Sequence, residues 1–541
     1  MRQLVLGLVV MTVACGGDGG TSTHIDAPPE VDAPPGPQAL CEELGLPVRA
    51  FAAGPYGIHR GDVADDFTVP LRDGTMWNLR EHWSGCETYL FVPDTIRNSS
   101  TDGTTVWARD VDRLIATSPK NVHYFFVSRK VTITESIAAI EASIATALAP
   151  LAPADAEHWR THLHVVALQA YDLNNWVDTI LGGPGGGGFA IDRAQRVRGI
   201  GMLSDVTRYD AAISGWPWES NLAYAAHEAK YLNGEAERQA VLDAETATVV
   251  PLWTGGVLPD GFAETDATLP SSAEMAAFDT LVVEVTQRCP DPDAVELNNC
   301  GAWDYLAHLR VRDEATDTWI ELARFITTYH RESHWTADIS PMLAHLAAGG
   351  ARRFRWEWAP EWNTQPTGTT VSLRFSNRNK GYRPVQALPL FSGGAFNSAY
   401  NAARVPLAVA IPADARRVEV FALVTGHGAD NNQCAEFCNH QHEITVGAST
   451  YRKEFPMAGS EQGCIAELDR GMTPNQGGTW WYGRGGWCPG QQVTPWVIDV
   501  TADVTPGQTA TFSYRGLFNN TTPPDAGDAN IVLSSYVVIS R

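Results

Sequence analysis

Nine cysteines divide this chain of 541 residues into three groups, and their positions limit how it can fold. Cys15 follows a short apolar run at the N-terminus, and Cys41 and Cys86 lie in the segment that follows it. The other six lie in the second half, at Cys289, Cys300, Cys434, Cys438, Cys464 and Cys488. Disulfides are typical of exported proteins and can hold functional loops rigid on a β-rich scaffold. We therefore expect an exported protein with cross-linked loops.

The N-terminus supports export. Arg2 precedes an apolar run over residues 4–13, which is too short to span a membrane, and Ala14-Cys15 ends a sequence typical of a lipoprotein signal. We predict a signal peptide over residues 1–15 with Cys15 lipidated; an ordinary secretory signal cleaved nearby is the alternative. Residues 16–39, rich in Pro, Gly and Asp, are predicted to form a disordered linker. The expected location is the bacterial cell envelope, through a lipid anchor alone, or the medium.

Net charge and composition restrict the binding partners. The formal charge of −23 argues against nucleic acid, since phosphate binding requires clustered Lys and Arg. The chain has 18 tryptophans, which would stack on sugars or fill β-sheet cores. Its length indicates several domains.

The first folded segment, residues 40–245, is predicted to be α/β. Residues 61–75 resemble the opening of redoxins of the thioredoxin superfamily. Residues 88–92 and 123–127 read as buried strands, and residues 133–151 as a helix. A hairpin near residues 189–197 and helices over 221–244 complete a thioredoxin-like domain with a helical extension.

This segment lacks the Cys-x-x-Cys that thioredoxin chemistry requires, since Val92-Pro93-Asp94 occupies that place and Cys86 lies before the strand. We therefore expect a redox-inert domain that positions or screens substrate. The glycine-rich residues 182–188 are not followed by Lys-Ser/Thr, and we interpret them as a flexible surface loop rather than a phosphate-binding loop.

From residue 246 the pattern changes to short strands with alternating apolar residues, which is typical of antiparallel β-sandwiches. The clearest strands cover residues 280–285, 305–311, 319–325, 353–358, 371–375, 417–424 and 531–540. The length would hold two eight-stranded jelly rolls, which we place at residues 246–382 and 383–541.

Three motifs in this half carry the chemistry. They are Asn299-Cys300-Gly301-Ala302-Trp303-Asp304, Cys434-Ala435-Glu436-Phe437-Cys438, and Arg484-Gly485-Gly486-Trp487-Cys488-Pro489-Gly490. In this order they resemble the peptide-N-glycosidase F family, amidases that remove N-linked glycans from asparagine. The resemblance covers roughly residues 265–541. It implies the double jelly-roll plan, N-glycosylated proteins or glycopeptides as substrates, and no cofactor or metal. We expect a monomer.

The resemblance also implies roles for three acids. Asp304 matches the catalytic aspartate after Trp, Glu436 the glutamate between paired cysteines, and Glu357 a third acid of the site, for which Glu361 competes. Amide hydrolysis requires an activated water, oxyanion donors and protonation of the leaving nitrogen, and a cluster of acids suits this. Structural roles, as a turn cap or surface charges, are the alternatives.

Sugar contacts are implied less directly. The expected substrate-binding residues are Trp303, Tyr305, Trp358, His427, Arg484 and Trp487. For His427 and Arg484 a structural role is equally compatible with the sequence. Tyr305 stands where family members have arginine, and Thr425 where they have tryptophan. The aromatic stretches 356–362 and 480–487 offer replacement stacking surfaces.

Local spacing and the resemblance together favour three disulfides, Cys289–Cys300, Cys434–Cys438 and Cys464–Cys488, and Cys41–Cys86 follows by elimination. A zinc site of Cys434, Cys438, His440 and His442 is the alternative for one pair.

Two other functions stay open. A non-catalytic glycan- or peptide-binding lipoprotein could use the same cleft. A copper monooxygenase shares the double jelly-roll plan, but the close histidine pairs in this half are only His440/His442 and His330/His334.

Overall fold

The structure, a computed structural model, describes residues 37–541 with gaps at 95–105, 109, 132, 202, 204–221, 429–433, 461, 477–485 and 526. The predictions for the signal peptide, most of the linker, Cys15 and Arg484 lie outside the described residues. No helix in the described part of the chain combines the length and apolarity that crossing a membrane requires.

The first part of the chain is built on a five-stranded sheet, with a two-stranded hairpin beside it. Its strands are β1 Thr68–Pro70, β2 Met76–Asn78, β3 Thr88–Pro93, β4 Val122–Val127, β5 Leu163–Val165, β6 Phe189–Ile191 and β7 Val197–Gly199. Its helices are α1 Pro37–Glu43, α2 Val111–Thr117, α3 Thr134–Leu148, α4 Pro153–Arg160, α5 Trp176–Gly182 and α6 Ala223–Ala244.

The order in the larger sheet is β5-β4-β3-β6-β7. Strands β3, β4 and β5 are parallel, whereas β6 and β7 are antiparallel to their neighbours. Every residue of β3 and β4 is buried, as expected for parallel strands covered on both faces. The predicted order of strand, helix, strand and final hairpin is therefore confirmed, while membership of the thioredoxin superfamily stays a prediction.

The glycine-rich segment was expected to be a flexible surface loop, and this expectation is wrong. Gly185, Gly186 and Gly188 are buried, and Nη1 of Arg129 donates to the carbonyl oxygen of Gly186 at 2.5 Å. A Cβ on Gly188 would lie 2.7 Å from the carbonyl oxygen of Phe91, so glycine is required by the close packing against β3.

The second part is a sandwich of two four-stranded antiparallel sheets, ordered β13-β10-β15-β8 and β12-β11-β14-β9. Its strands are β8 Ala247–Leu258, β9 Phe262–Ser271, β10 Thr280–Arg288, β11 Leu306–Asp313, β12 Thr318–Ile326, β13 Ser333–Asp338, β14 Gly349–Glu357 and β15 Thr367–Ser376. Two short helices, α7 Ser272–Met275 and α8 Leu343–Leu346, lie in its connections. One apolar core includes Val283 of β10 and Leu309 of β11, so the two sheets pack face to face.

The third part repeats this plan with sheets ordered β16-β23-β18-β21 and β17-β22-β19-β20. Its strands are β16 Pro384–Ala395, β17 Leu407–Ala410, β18 Arg417–His427, β19 His440–Val446, β20 Ser449–Glu454, β21 Trp496–Asp499, β22 Thr509–Phe518 and β23 Asn530–Ser540. Within the described ranges, each sandwich has the eight antiparallel strands that the sequence predicts. The domain limits given above stay predictions.

A buried polar contact joins the two sandwiches. The Arg324 guanidinium on β12 pairs with Glu321 and donates to Oγ1 of Thr425 at 2.9 Å and to the carbonyl oxygen of Val532 at 2.7 Å. Thr425 is fully buried, so the position at which family members have tryptophan faces the interface between sandwiches in this chain.

Three of the predicted disulfides are present: Cys41–Cys86, Cys289–Cys300 and Cys464–Cys488. The fourth is not bonded in the structure, where the Sγ atoms of Cys434 and Cys438 lie 2.6 Å apart. A covalent bond requires about 2.05 Å. The contact brings the two sulfurs together, and the Cys434–Cys438 bond stays a prediction.

Candidate functional site

Asp304 lies in the loop that leads into β11 and is half-buried. The Tyr329 hydroxyl donates a hydrogen bond to its Oδ1 at 2.8 Å. The preceding residue, Trp303, has half its surface exposed, and its ring centroid lies 6.4 Å from that of Tyr329. A phenol therefore orients the carboxylate, and the residue before it in the chain carries an accessible indole.

Thr327 fixes the backbone on both sides of this carboxylate. Its Oγ1 donates to the carbonyl oxygen of Trp303 at 2.6 Å and accepts from the Tyr305 amide at 2.9 Å. Because Thr327 directly follows the buried strand β12, the first sandwich sets the position of Asp304.

Tyr329 is itself held from behind. Its amide donates to Oε1 of Gln476 at 2.8 Å. Gln476 is fully buried, and its Nε2 donates to the carbonyl oxygens of Thr473 and Pro489 at 2.6 and 2.7 Å. These bonds restrict the backbone from which the Tyr329 hydroxyl reaches Asp304.

Glu436, also half-buried, lies in a tight loop that packs against the end of β18. Its amide donates to the carbonyl oxygen of Gly428 at 3.2 Å, and its carbonyl oxygen accepts from the Trp487 amide at 3.0 Å. A Cβ on Gly426 would lie 2.0 Å from the carbonyl oxygen of Ala435, so only glycine permits this approach.

The segment from Trp487 to Gly490 connects the two acidic loops. At one end the Trp487 amide binds Glu436, and at the other the Gly490 amide donates to the carbonyl oxygen of Ile326 at 3.0 Å. Ile326 precedes the threonine that fixes Asp304. The structure therefore braces the two predicted catalytic acids, which are distant in sequence, against one short segment.

Glu357 ends β14 and lies in a different environment. Its Oε2 accepts from Nε of Arg310 at 3.0 Å, and its Oε1 pairs with Nε of Arg355 at 2.8 Å. Both oxygens are engaged in ion pairs, which suits an orienting role better than proton transfer.

Glu357 nevertheless lines a cavity whose wall includes the residue that follows Asp304. The cavity has a volume of about 470 Å³, and its wall includes Tyr305, Glu361 and Trp362. Trp362 is 80% exposed, and its ring meets that of Tyr305 edge-on at 6.2 Å. Tyr305 directly follows Asp304 in the chain, and Glu357 and Glu361 both line this cavity, so the choice between them stays open.

Two of the predicted sugar contacts are wrong. Trp487 and Trp358 are both almost fully buried, and their indoles donate to Nε2 of His440 at 3.2 Å and to the carbonyl oxygen of Gln365 at 2.7 Å. Packing between loops and sheets covers these rings, so they offer no face to a sugar.

The other predicted sugar contacts have mixed outcomes. Trp303 is accessible, and Tyr305 is half-buried with its hydroxyl accepting from Nδ2 of Asn363 at 2.6 Å. His427, half-buried, is the last residue of β18 and adjoins Gly428, which binds the Glu436 loop. Arg484 lies outside the described residues.

The zinc alternative at His440 and His442 conflicts with the hydrogen bonds there. Nε2 of His440 accepts from Trp487, its Nδ1 contacts Nε2 of His442 at 2.6 Å, and Nδ1 of His442 contacts the Tyr514 hydroxyl at 2.6 Å. The four ring nitrogens are thus all engaged. Burial lowers the pKa of His440 to about 3, and it lowers that of His442 well below its ordinary value. Both rings are neutral.

Two other groups in the described ranges place three potential metal ligands together. One contains the disulfide-bonded Cys289 and Cys300, which offer no thiolate. The other joins Glu87 to His123 and His162, whose rings stack at 4.2 Å with their planes 16° apart. Imidazole lone pairs lie in the ring plane, so stacked rings must turn before both could reach one ion.

Sequence reasoning missed Tyr329 and Gln476. Neither lies in the recognised motifs, but Tyr329 follows the stretch Glu321 to Thr327 closely, at the end of a strand next to the site. Such a polar residue at a strand end is the one signal that could have indicated it.

The chain is similar to proteins of one known family. Residues 395–538 match the family model described as peptide-N-glycosidase F, C terminal. The peptide-N(4)-(N-acetyl-beta-D-glucosaminyl)asparagine amidase F of Elizabethkingia miricola is 24% identical over 305 residues, covering 52% of this chain and 79% of that protein.

Several solved structures are also similar to this chain. A crystal structure of peptide-N(4)-(N-acetyl-beta-D-glucosaminyl)asparagine amidase has a TM-score of 0.44 at 20% identity, covering 54% of this chain and 96% of that chain. A structure of PNGF-II has a TM-score of 0.40 at 13% identity, covering 56% of this chain and 67% of that chain.

Proposed function

Since the C-terminal part of this chain belongs to the peptide-N-glycosidase F family, we propose that the protein is a peptide-N-glycosidase. The reaction is hydrolysis of the amide bond between an asparagine side chain and the first N-acetylglucosamine of an N-linked glycan. Water supplies the oxygen, and the products are an aspartate and a glycosylamine. The observation that carries the proposal is the oriented Asp304 carboxylate, held by Tyr329 at 2.8 Å and preceded in the chain by an accessible indole.

Asp304 is the proposed general base. A carboxylate accepts a proton from the attacking water, and its Oδ1 is already oriented by the Tyr329 hydroxyl. Orientation matters because misplacing a reacting group carries a large kinetic penalty. Glu436 is the proposed second acid, held by its braced loop on the far side of the Trp487–Gly490 segment.

Glu357 is the proposed third acid, with an orienting role. Its pairing with Arg310 and Arg355 places charged hydrogen-bonding groups at the wall of the cavity, where they could contact a bound glycan. Trp303 and Trp362 are the exposed indoles available for stacking on sugar rings, and His427 and Arg484 stay proposed contacts.

The test is incubation of the purified protein with a denatured N-glycopeptide in heavy-oxygen water. Hydrolysis converts the glycosylated asparagine to aspartate carrying one heavy oxygen, which mass spectrometry detects. Binding of the glycopeptide without this conversion would instead support the alternative, a glycan- or peptide-binding surface protein.

The remaining proposals concern the rest of the chain. From the sequence we also propose export with lipidation at Cys15 and a redox-inert thioredoxin-like segment. We propose that the enzyme is a monomer. Mass spectrometry of the mature N-terminus tests the first of these, and an unmodified N-terminus beyond residue 15 would contradict it.

A further inference from the structure

The helix that follows the α/β sheet carries a glutamate buried against the candidate site. Glu228 on α6 is fully buried, and both its oxygens accept from Arg331, at 3.0 Å for Oε1 and 3.1 Å for Oε2. Arg331 lies only two residues after Tyr329. A bidentate pair of this kind fixes direction as well as distance.

The same carboxylate holds a second segment. Nδ2 of Asn475 donates to Oε2 of Glu228 at 3.0 Å and to the carbonyl oxygen of Tyr224 at 2.9 Å. Asn475 directly precedes Gln476, which accepts from the Tyr329 amide at 2.8 Å. Glu228 therefore contacts Arg331, close to Tyr329, and Asn475, next to Gln476. Tyr329 and Gln476 are the residues that orient the Asp304 carboxylate.

The α/β sheet adds a third contact to Arg331. The guanidinium Nη2 donates to the carbonyl oxygen of Gly199 on β7 at 2.8 Å, and its Nε pairs with Glu296 at 2.9 Å. Burial opposes the charge, but Glu228 and Glu296 raise the pKa of Arg331 above its ordinary value. The arginine is thus a permanent cation held from both sides, by Glu228 and Gly199 of the first part of the chain and by Glu296 and the Pro474 carbonyl oxygen of the later part.

We propose that Glu228 is a positioning residue for Asp304, acting through Arg331 and Asn475 on Tyr329 and Gln476. The first part of the chain thereby acts as a brace that the amidase site requires. The effect on catalysis rests on the proposed amidase function. The hydrogen bonds that link Glu228 to the Asp304 loop do not depend on it.

The test compares Glu228→Gln with Glu235→Gln in the full chain. Glu235 lies two turns later on the same helix and is also largely buried, but it pairs with Arg198 at 2.7 Å and His334 at 3.2 Å rather than with Arg331 or Asn475. In Glu228→Gln an amide nitrogen would face the guanidinium, so Arg331 must move. We expect kcat for glycopeptide hydrolysis to fall about tenfold or more with KM nearly unchanged.

The control should keep wild-type kcat even if its melting temperature falls as far. The proposal would be overturned if both variants lost kcat equally and in proportion to their loss of stability. Full activity of Glu228→Gln would also overturn it. A double-mutant cycle adds a sharper criterion. In a Tyr329→Phe background, Glu228→Gln should cost little further activity, and additive losses would contradict the proposed route.

A readout without substrate separates this proposal from the proposed function. Hydrogen exchange of the backbone amides of residues 301–305 should rise in Glu228→Gln but not in Glu235→Gln. If the wild-type protein does not hydrolyse glycopeptide, the proposed function is wrong, but hydrogen exchange still tests whether Glu228 positions the Asp304 loop. Unchanged exchange in Glu228→Gln would overturn that positioning role.

A second variant covers the case in which Glu228→Gln does not fold. Asn475 has a φ of +52°, so Asn475→Gly removes the side chain without backbone strain and leaves Glu228 paired with Arg331. It should raise exchange at the same residues and lower kcat by about tenfold. Wild-type values for both would overturn the proposal.

Discussion

The indole of Trp487 donates to Nε2 of His440 at 3.2 Å and begins a buried chain of polar contacts. His440 contacts His442 at 2.6 Å, His442 contacts the Tyr514 hydroxyl at 2.6 Å, and this hydroxyl contacts that of Tyr400 at 2.9 Å. Because Nε2 of His440 accepts, its Nδ1 must donate, which fixes the tautomer of each ring along the chain.

The buried contacts of His440 and His442 predict that the protein loses stability in acid. Burial lowers the pKa of His440 to about 3, whereas an unfolded histidine has a pKa of about 6.5. Between these values the unfolded state binds more protons, so stability is present above about pH 6.5 and is lost as the pH falls towards 3. Burial also lowers the pKa values of His123 and His345 to about 4, which adds to the effect.

The measurement is the free energy of unfolding by denaturant between pH 4 and pH 8. His440→Gln, which keeps a donor and an acceptor, should reduce the slope by about 1.4 kcal/mol per pH unit, the value for one proton. A slope identical to wild type would mean that His440 does not titrate in this range.

Replacing Asp304 by asparagine should abolish hydrolysis while the protein stays folded. Asparagine keeps the size but cannot take a proton from water, and loss of a general base typically costs about 10²–10⁴-fold in rate. Asp317→Asn is the matched control, because Asp317 is exposed and pairs only with Arg312 among the ion pairs described. Turnover of a labelled glycopeptide, with circular dichroism to verify folding, decides the role; more than about a tenth of wild-type rate in folded Asp304→Asn removes Asp304 from it.

Tyr329→Phe should lower kcat without a comparable change in KM. The variant loses only the hydroxyl that donates to Asp304 at 2.8 Å, and a hydrogen bond to a charged group contributes about 1.5–3 kcal/mol. Steady-state kinetics should show a loss of roughly tenfold to a hundredfold. Unaltered kcat would mean that the hydroxyl does not set the reactive position of Asp304.

Trp362→Ala should weaken substrate binding and leave folding intact, because the indole is 80% exposed at the rim of the cavity. We expect KM for glycopeptide to rise by about tenfold, equivalent to about 1.4 kcal/mol, with kcat little changed. Trp487→Phe serves as the contrast, since the buried Trp487 should affect stability first. A KM for Trp362→Ala equal to that of wild type would exclude Trp362 from glycan binding.

The Cys434→Ser/Cys438→Ser protein should stay folded and lose most of its activity. The two sulfurs lie 2.6 Å apart on either side of Glu436, and we predict that they form a disulfide in the exported protein. For so short a loop the chain-entropy contribution to stability is only about 2 kcal/mol, so the main loss is the geometry of the Glu436 loop. Mass spectrometry of the oxidised protein checks the bond, and full activity of the double variant would show that the bond does not position Glu436.

The sequence predicted the secondary structure well because that signal is local. Alternating apolar residues placed strands such as β10 and β18, and the continuous apolar run of β3 indicated a buried strand. Cysteine spacing, together with family resemblance, anticipated Cys289–Cys300 and Cys464–Cys488, and elimination anticipated Cys41–Cys86.

The exposure of individual tryptophans could not be predicted from local sequence. Trp358 and Trp487 stand in aromatic stretches that looked like stacking surfaces, yet both are buried, whereas Trp362 in the same stretch as Trp358 is exposed. Side-chain burial depends on which surfaces pack together, and residues distant in sequence supply those surfaces.

By itself, the sequence determined which residues could do chemistry: it placed Asp304 and Glu436 in tight motifs and gave each half of the chain its fold class. Only the tertiary structure decided how these acids are held. Tyr329 bonds to Asp304, Gln476 bonds to Tyr329 across 147 residues of sequence, and Glu228 bonds to Arg331 across 103. Hydrogen bonds of this kind require atoms to meet within about 3 Å, and only packing of the whole chain brings them that close.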